Sequence, residues 1–173
     1  MTQLDLATRI RDVPDFPKKG IVFKDITTLL KDGVAFRAAI DELVARVRDL
    51  PIDLVVGMES RGFILAAPLA YLLGAGFVPV RKLGRLPART INVEYELEYG
   101  TNTLEVHVDA VAAGNRVLVV DDLLATGGTV AATIDLVERL GGEVVATAFL
   151  VELLFLKGRQ RLGDRNVISL VQY

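Results

Sequence analysis

The sequence predicts an α/β fold in which a twisted, mainly parallel sheet is flanked by helices. Two observations support this prediction. Helical and strand patterns alternate along most of the 173 residues, and the predicted core strands are short, continuously apolar runs. Such runs are typical of parallel strands, because both faces of a parallel sheet are buried. The length suits a single domain over residues 1–173 with a substantial core.

The predicted elements end at residues that break regular structure. The patterns predict helices over 4–11, 33–50, 61–73 and 128–140, and strands over 53–57, 77–81, 116–120 and 143–151. Pro51 ends the second helix, Gly74 ends the third, and the Gly141–Gly142 pair ends the fourth. This order indicates repeated strand–helix–strand units.

Residues 82–109 interrupt the alternation of helices and strands. Apolar residues at 93, 95, 97 and 99 alternate with glutamates, and a second alternating run follows from Leu104 to Asp109. Alternation on both sides of a turn at 100–102 predicts an antiparallel hairpin with one exposed face, and Glu105 belongs to that face. An excursion of this length between core strands is often a lid over a site.

The composition argues against several classes of function. A net charge of −2 is unfavourable for a dedicated nucleic-acid binder. The absence of cysteine excludes disulfides, thiolate catalysis and cysteine-ligated zinc, and it suits the reducing cytoplasm. Because His107 is the only histidine, a metal site built from several histidines is excluded as well.

A membrane location is not expected. The first residues lack the basic and apolar regions of a signal peptide. The uncharged run from Phe63 to Val80 approaches the roughly 20 apolar residues of a membrane span. Prolines and glycines interrupt this run, so a helix followed by a buried strand explains it better.

The segment from Val117 to Thr129 carries the strongest functional signal. An apolar strand leads into Asp121 and Asp122, and a turn of threonine and glycine then precedes an amphipathic helix. The N–H groups at the start of a helix, together with the helix dipole, attract phosphate. Carboxylates at the end of the strand suit ribose hydroxyls or a hydrated metal ion. The pattern therefore predicts a site for a sugar phosphate.

Three better-known motifs do not fit the sequence. A P-loop needs a Gly-Lys dipeptide, which the chain lacks. The run from Gly74 to Gly76 lacks the third glycine of a dinucleotide fingerprint and follows a helix. Ser60 does not lie in a G-x-S-x-G nucleophile elbow.

The segment at Asp121–Thr129 resembles the phosphoribosyl-pyrophosphate (PRPP) motif of type I phosphoribosyltransferases, two acids followed by a T/S-G-G-T turn. Segments 16–26, 59–63, 80–87, 97–100 and 150–153 resemble, in the expected order, those of adenine phosphoribosyltransferases. Arg85 departs from this pattern by replacing a common lysine. The resemblance implies a phosphoribosyltransferase fold with a small N-terminal hood over about 1–32 and a hairpin lid over about 82–109.

The resemblance also implies the roles of individual residues. The 5′-phosphate and ribose of PRPP or AMP would be bound by Asp121, Asp122, Ala125, Thr126, Gly127, Gly128 and Thr129. Pyrophosphate would be bound by Glu59, Ser60, Arg61, Arg81, Lys82 and Arg85. Adenine would be bound by Val22, Phe23, Lys24 and Leu153. The catalytic group would be Glu98, a proton donor to adenine N7 when AMP is cleaved, assisted by Tyr99 and Arg61.

The implied reaction is transfer of the 5-phosphoribosyl group from PRPP to adenine, which gives AMP and pyrophosphate in purine salvage. Mg²⁺ would be held mainly by the diphosphate and water rather than by side chains. A cytoplasmic homodimer without nucleic-acid or membrane partners is expected. The alternatives are a transferase for another purine base and a PRPP-sensing regulator. Such a regulator is expected to need a DNA-binding segment, for which about fifteen residues before the core are too few.

Overall fold

The structure, a computed structural model, describes residues 4–96 and 101–173. The chain divides into two compact units, residues 1–42 and 43–173. The single-domain organisation stays a prediction.

The first unit is built around a small antiparallel sheet. A 3-10 helix (Leu6–Arg9) precedes strands β1 (Arg11–Pro14) and β2 (Val22–Asp25), and helices α1 (Thr27–Lys31) and α2 (Gly33–Val47) follow, the latter continuing into the second unit. The helix predicted over 4–11 is therefore shorter. Its last predicted residue, Arg11, pairs instead with Asp25 in the sheet, both through the backbone register and through an ion pair.

The second unit contains a seven-stranded sheet. Its elements are β3 (Leu54–Met58), α3 (Arg61–Leu73), β4 (Gly76–Lys82), β5 (Thr90–Glu96), β6 (Thr101–His107), β7 (Arg116–Leu124), α4 (Gly128–Arg139), β8 (Glu143–Glu152), a 3-10 helix (Leu154–Leu156), α5 (Gly158–Arg161) and β9 (Val167–Gln172). The strand order is β5-β6-β4-β3-β7-β8-β9. The five neighbouring strands β4, β3, β7, β8 and β9 pair in parallel. The predicted mainly parallel α/β fold is confirmed.

Most of the predicted core elements lie within a few residues of their observed positions. The run from Phe63 to Val80 is a helix followed by a strand, as expected, and no helix within the described ranges is long and apolar enough to cross a membrane. Strand β7 extends to Leu124, beyond the predicted end at Val120, because its pairing with β8 continues as far as Glu152. Helix α5 and strand β9 were not predicted.

The predicted hairpin is present as β5 and β6, and β6 also pairs antiparallel with β4 at the sheet edge. Strand β6 already begins at Thr101, inside the predicted turn, while residues 97–100 lie outside the described part of the chain. The prediction of an exposed Glu105 was wrong. Glu105 is buried beneath the segment that follows β4, whose backbone N–H groups donate hydrogen bonds to its carboxylate.

Strand β3 lies between β4 and β7, which makes it the point where the strand order changes direction. In open α/β sheets, ligands bind at the carboxyl ends of the strands on either side of such a point. The segments that follow β3 and end β7 are therefore where a site is expected.

Candidate active site

A cleft of about 290 Å³ opens at the carboxyl ends of β3 and β7. It is lined by Glu59, Ser60, Arg61, Lys82, Tyr95, Leu104, Asp121, Asp122 and Thr129. Seven of these nine residues were predicted site residues. Segments far apart in the sequence, among them the hairpin, therefore meet at the predicted sugar-phosphate motif.

Arg61, the first residue of α3, forms an ion pair through its Nε with the Asp122 carboxylate. Close packing sets this contact: a Cβ atom on Gly62 would lie 2.9 Å from Asp121 Oδ1 and 3.0 Å from the Val120 carbonyl oxygen. The first turn of α3 thus lies directly against the end of β7. Asp122 is only 6% exposed, so the arginine compensates a buried charge that would otherwise be costly.

Asp121 and Asp122 are adjacent but lie in different environments. Asp121 Oδ1 accepts a hydrogen bond from the backbone N–H of Asp122 at 2.9 Å. Burial, and then the neighbouring Asp122 carboxylate, raise the pKa of Asp121 well above its usual range. The pair therefore combines one carboxylate compensated by arginine with one carboxyl group that is biased toward its neutral form.

A smaller cavity of about 60 Å³ continues from Asp121 along the loop that leads into α4. Its lining includes all five predicted phosphate-binding residues, from Ala125 to Thr129. Gly127 adopts a φ of +82°, a conformation that residues with a side chain rarely take, and no acidic residue lies in the first turn of α4. The loop and helix therefore combine a glycine-dependent turn with a positive helix end, which suits an anion.

The C-terminal segment supports this loop from outside. A Cβ atom on Gly158 would lie only 2.1 Å from the Ala125 carbonyl oxygen, and one on Gly127 would lie 2.6 Å from the Gly158 carbonyl oxygen. Two glycines therefore permit a close backbone approach. Arg159, the next residue, donates to the buried Glu152 carboxylate at 2.9 and 2.6 Å, which fixes α5 at the end of β8.

A second polar group occupies the other side of the cleft. Arg81 donates to both oxygens of Glu59 at 3.2 and 3.3 Å, and the Lys82 backbone N–H donates to the same carboxylate at 3.1 Å. The hydrogen bond from Arg81 lowers the pKa of Glu59, so this carboxylate stays charged. The peptide bond between Glu59 and Ser60 is cis.

The remaining predicted residues lie elsewhere. Arg81 and Arg85 do not line the cleft, and Leu153 lies just beyond β8. Val22, Phe23 and Lys24 form most of β2 in the first unit, where the Lys24 ammonium pairs with Asp12 at 2.7 Å. Glu98 and Tyr99 fall outside the described residues. Their assigned roles stay predictions.

Sequence reasoning did not identify two residues of the cleft. Tyr95 on β5 and Leu104 on β6 both line it, and the Thr129 hydroxyl donates to the Tyr95 oxygen at 3.4 Å. Tyr95 lies on the apolar side of the period-two pattern, which indicates burial but not that the ring faces a site. Only the pairing of the hairpin with the sheet edge brings Tyr95 to the loop at Ala125–Thr129, which we call the phosphate loop.

The cleft offers oxygen donors that suit a hard cation such as Mg²⁺. However, Asp122 and Glu59 are each engaged by an arginine, and among the described residues no three histidine, aspartate or glutamate side chains cluster to hold a metal ion. This donor set fits an ion bound mainly through a ligand's phosphate oxygens and water.

Comparisons with known proteins agree with this geometry. Residues 27–171 match the family model described as phosphoribosyl transferase domain. The chain is 61% identical over its full length to the whole adenine phosphoribosyltransferase of Chloroflexus aurantiacus.

Solved structures of the same kind of protein superpose closely. The Thermoanaerobacter pseudethanolicus adenine phosphoribosyltransferase is 56% identical, with a TM-score of 0.94 over 97% of this chain and 98% of its own. The Saccharomyces cerevisiae enzyme, solved with adenine and an imino-altritol bisphosphate, is 40% identical, with a TM-score of 0.89 over 95% of both chains. With this fold, this cleft and a full-length relative at 61% identity, the chain belongs to the adenine phosphoribosyltransferase family.

Proposed function

We propose that the chain transfers the 5-phosphoribosyl group of PRPP to adenine, producing AMP and pyrophosphate. The observation that carries this proposal is the order of groups along the cleft. The phosphate loop at Ala125–Thr129 lies next to Asp121 and Asp122. These two acids lie next to the cationic side chains of Arg61 and Lys82. PRPP presents its groups in the same order: the 5′-phosphate, the ribose hydroxyls, and the diphosphate on C1.

The chemistry needs positioning and charge stabilisation more than a protein nucleophile. The bond between C1 and the diphosphate oxygen breaks as adenine N9 bonds to C1, and the ribose passes through an oxocarbenium-like state. The proton on the imidazole ring of adenine leaves from N7 to Glu98, the reverse of the proton transfer in AMP cleavage. Asp121 and Asp122 bind the ribose hydroxyls. Arg61 and Lys82 stabilise the charge that develops on the departing diphosphate, while Arg81 and Arg85 add positive potential beside it.

Mg²⁺, when bound with PRPP, neutralises part of the diphosphate charge. The donor set of the cleft supports this assignment, because Asp122 and Glu59 are each paired with an arginine and the phosphates supply further oxygens. The side chains orient the diphosphate that carries the ion.

Adenine recognition is proposed for β2 and for the residue after β8. Backbone C=O and N–H groups at Val22 and Lys24 match the exocyclic amine and N1 of adenine, and Phe23 and Leu153 supply apolar contacts to the ring. Glu98 donates a proton to adenine N7 when AMP is cleaved, and Tyr99 helps to close the site. The resemblance of segments 16–26 and 97–100 to the family supports these roles.

A base-competition assay tests the proposal. Purified protein, PRPP and Mg²⁺ are incubated with equal concentrations of adenine, hypoxanthine, guanine and xanthine, and the nucleotides formed are separated. AMP should be the main product, and chelation of Mg²⁺ should abolish turnover. Another nucleotide as main product would favour the alternative base. No turnover, with PRPP still bound, would favour a regulator.

The same assay tests the role of Glu98. Glu98→Gln should lower turnover by about 10²–10⁴ while PRPP still binds, because one acid–base group is lost. Glu94→Gln, an exposed glutamate on β5, is the matched control and should keep full activity. Full activity of Glu98→Gln would remove Glu98 from the mechanism.

We also propose that the protein is a cytoplasmic homodimer. Apolar side chains are exposed on α3 and at the start of β4, among them Tyr71 at 85%, Leu72 at 52% and Ile64 at 41%. An apolar patch of this kind is typical of an interface between subunits. Sedimentation velocity of the wild type and of Tyr71→Glu tests the dimer.

The cytoplasmic location is proposed from the absence of cysteine. Cell fractionation tests it.

A further inference from the structure

Glu105 is a buried carboxylate outside the catalytic groups. It lies on β6, is only 3% exposed, and lines neither cavity of the site. A buried carboxylate is costly unless hydrogen bonds replace its hydration. Glu105 has these bonds. Its Oε1 accepts from the backbone N–H groups of Arg85 and Leu86 at 2.8 and 2.9 Å, and its Oε2 accepts from the Thr90 hydroxyl at 3.2 Å.

These hydrogen bonds fix the segment between β4 and β5. Residues 82–85 are exposed, so little packing holds this part of the segment in place. The backbone bonds to Glu105 anchor the segment on β6, together with the bond from the Leu83 N–H to the Thr103 carbonyl at 3.1 Å and the longer bond from the Ala88 N–H to His107 Nε2 at 3.4 Å. A carboxylate that accepts two adjacent N–H groups defines the backbone path through a turn, much as an aspartate defines a helix start.

The anchored segment is connected to the cleft by further hydrogen bonds. The Arg85 carbonyl accepts from Arg81 Nη1 at 3.0 Å, and the same guanidinium donates to Glu59, which in turn accepts from the Lys82 backbone N–H. Glu59 and Lys82 line the cleft. A continuous series of hydrogen bonds therefore runs from buried Glu105 to the polar groups at the end of β4.

We propose that Glu105 is a positioning residue that holds Glu59, Arg81 and Lys82 in the arrangement that binds the diphosphate of PRPP, without itself touching the substrate. This inference rests on the proposed function. Its physical basis is preorganisation: a diphosphate that binds to cationic side chains already held in place does not have to order them. A carboxylate that served only to stabilise the hairpin would affect all ligands alike.

Variants at Glu105 separate these two roles because AMP lacks the diphosphate. Glu105→Ala removes the acceptor, Glu105→Gln keeps an amide oxygen for the two N–H groups, and Glu94→Ala on β5 is the exposed control. The measurements are the KM values of PRPP and pyrophosphate, kcat, and the calorimetric Kd of AMP. Glu105→Ala should raise both KM values by about tenfold to a hundredfold and change the Kd of AMP less than about twofold.

Glu105→Gln should recover most of the loss, and Glu94→Ala should match the wild type. Unchanged KM values in Glu105→Ala, or an AMP affinity that falls as much as the pyrophosphate affinity, would overturn the inference while the proposed function stands. Hydrogen exchange provides an independent measurement, since the Arg85 and Leu86 amides should lose protection in Glu105→Ala; retained protection would also overturn the inference. A wild type that binds neither AMP nor pyrophosphate would overturn the proposed function, and the inference with it.

Discussion

Asp121 and Asp122 are neighbours in the sequence but have different local environments in the site. Asp122 is buried and paired with Arg61, whereas burial and the Asp122 charge raise the pKa of Asp121. Two like charges side by side are unfavourable, so an arginine beside one of them and a proton favoured on the other relieves the repulsion. The two aspartates should therefore not be equivalent in binding.

Replacement of each aspartate by asparagine tests this difference. Asp122→Asn removes a charge that Arg61 compensates, and it should weaken AMP binding by about 10- to 100-fold, the size of one charge-assisted hydrogen bond. Asp121→Asn resembles the neutral carboxyl group and should cost about fivefold or less. Isothermal titration calorimetry measures both, with unchanged thermal melting as the control. Equal losses would contradict the assigned difference.

At the scale of elements, the phosphate loop is supported by α5, a helix that the sequence patterns did not predict. The loop and its helix α4 could be predicted because the signal is contiguous: a strand, two acids, and a glycine turn. The support of this loop by α5 could not, because Gly158 lies about thirty residues away and nothing in a lone glycine indicates which backbone it approaches. The same limit applies to Tyr95 and Glu105, whose surroundings are set by the pairing of β6 with β4.

Gly158→Ala tests the support of the loop. The added Cβ would lie 2.1 Å from the Ala125 carbonyl oxygen, so the loop or α5 must move. The Kd of AMP and the KM of PRPP should rise at least about tenfold, because a shifted loop misplaces the N–H groups around the 5′-phosphate. Pyrophosphate, which lacks that phosphate, should bind normally. For AMP and pyrophosphate, this pattern is the reverse of that expected for Glu105→Ala, whereas PRPP binding should weaken in both variants.

The control is Gly33→Ala, where an added Cβ has nothing within 4 Å. It should behave as the wild type. An equal loss of pyrophosphate binding in Gly158→Ala would mean that the substitution damages the whole cleft rather than the loop.

At the scale of the whole molecule, the order of the core elements from β3 to β8 was the most predictable property, because apolar runs separated by helices leave few sheet topologies. The position of the hairpin was not predictable from its own pattern. Strict alternation describes two strands equally well whether they are isolated or added to a sheet edge. The pairing with β4 brings the segment that follows β4 onto the buried Glu105. Sequence periodicity therefore identified the strands, and tertiary pairing decided which of their polar residues are buried.

Stability against acid is a second property of the whole molecule. Three carboxylates distributed along the chain, Asp25, Asp53 and Glu152, each accept hydrogen bonds from an arginine, which lowers each pKa to about 2. A pKa that is lower in the folded than in the unfolded chain stabilises the fold above the unfolded pKa, and that stabilisation is lost as pH falls toward the folded pKa. The free energy of unfolding should therefore fall between about pH 5 and pH 2.

Glu152 should contribute most to this fall, because it is 3% exposed, whereas the side chains of Asp25 and Asp53 are 16% and 33% exposed. A shift of the Glu152 pKa from its ordinary 4.5 to about 2 corresponds to roughly 3 kcal/mol, of which about 2–3 kcal/mol is lost between pH 7 and pH 2.5. Urea unfolding at fixed protein concentration, at pH 7 and pH 2.5, measures it. Glu152→Gln should lose about that much less stability between the two pH values than the wild type does. Glu143→Gln, exposed at the start of the same strand, should follow the wild type. Glu152 accepts hydrogen bonds from Arg159, Ser169 and Gln172. Identical pH dependence in all three proteins would show that, despite these partners, the Glu152 carboxylate does not determine how the stability of the folded chain responds to acid.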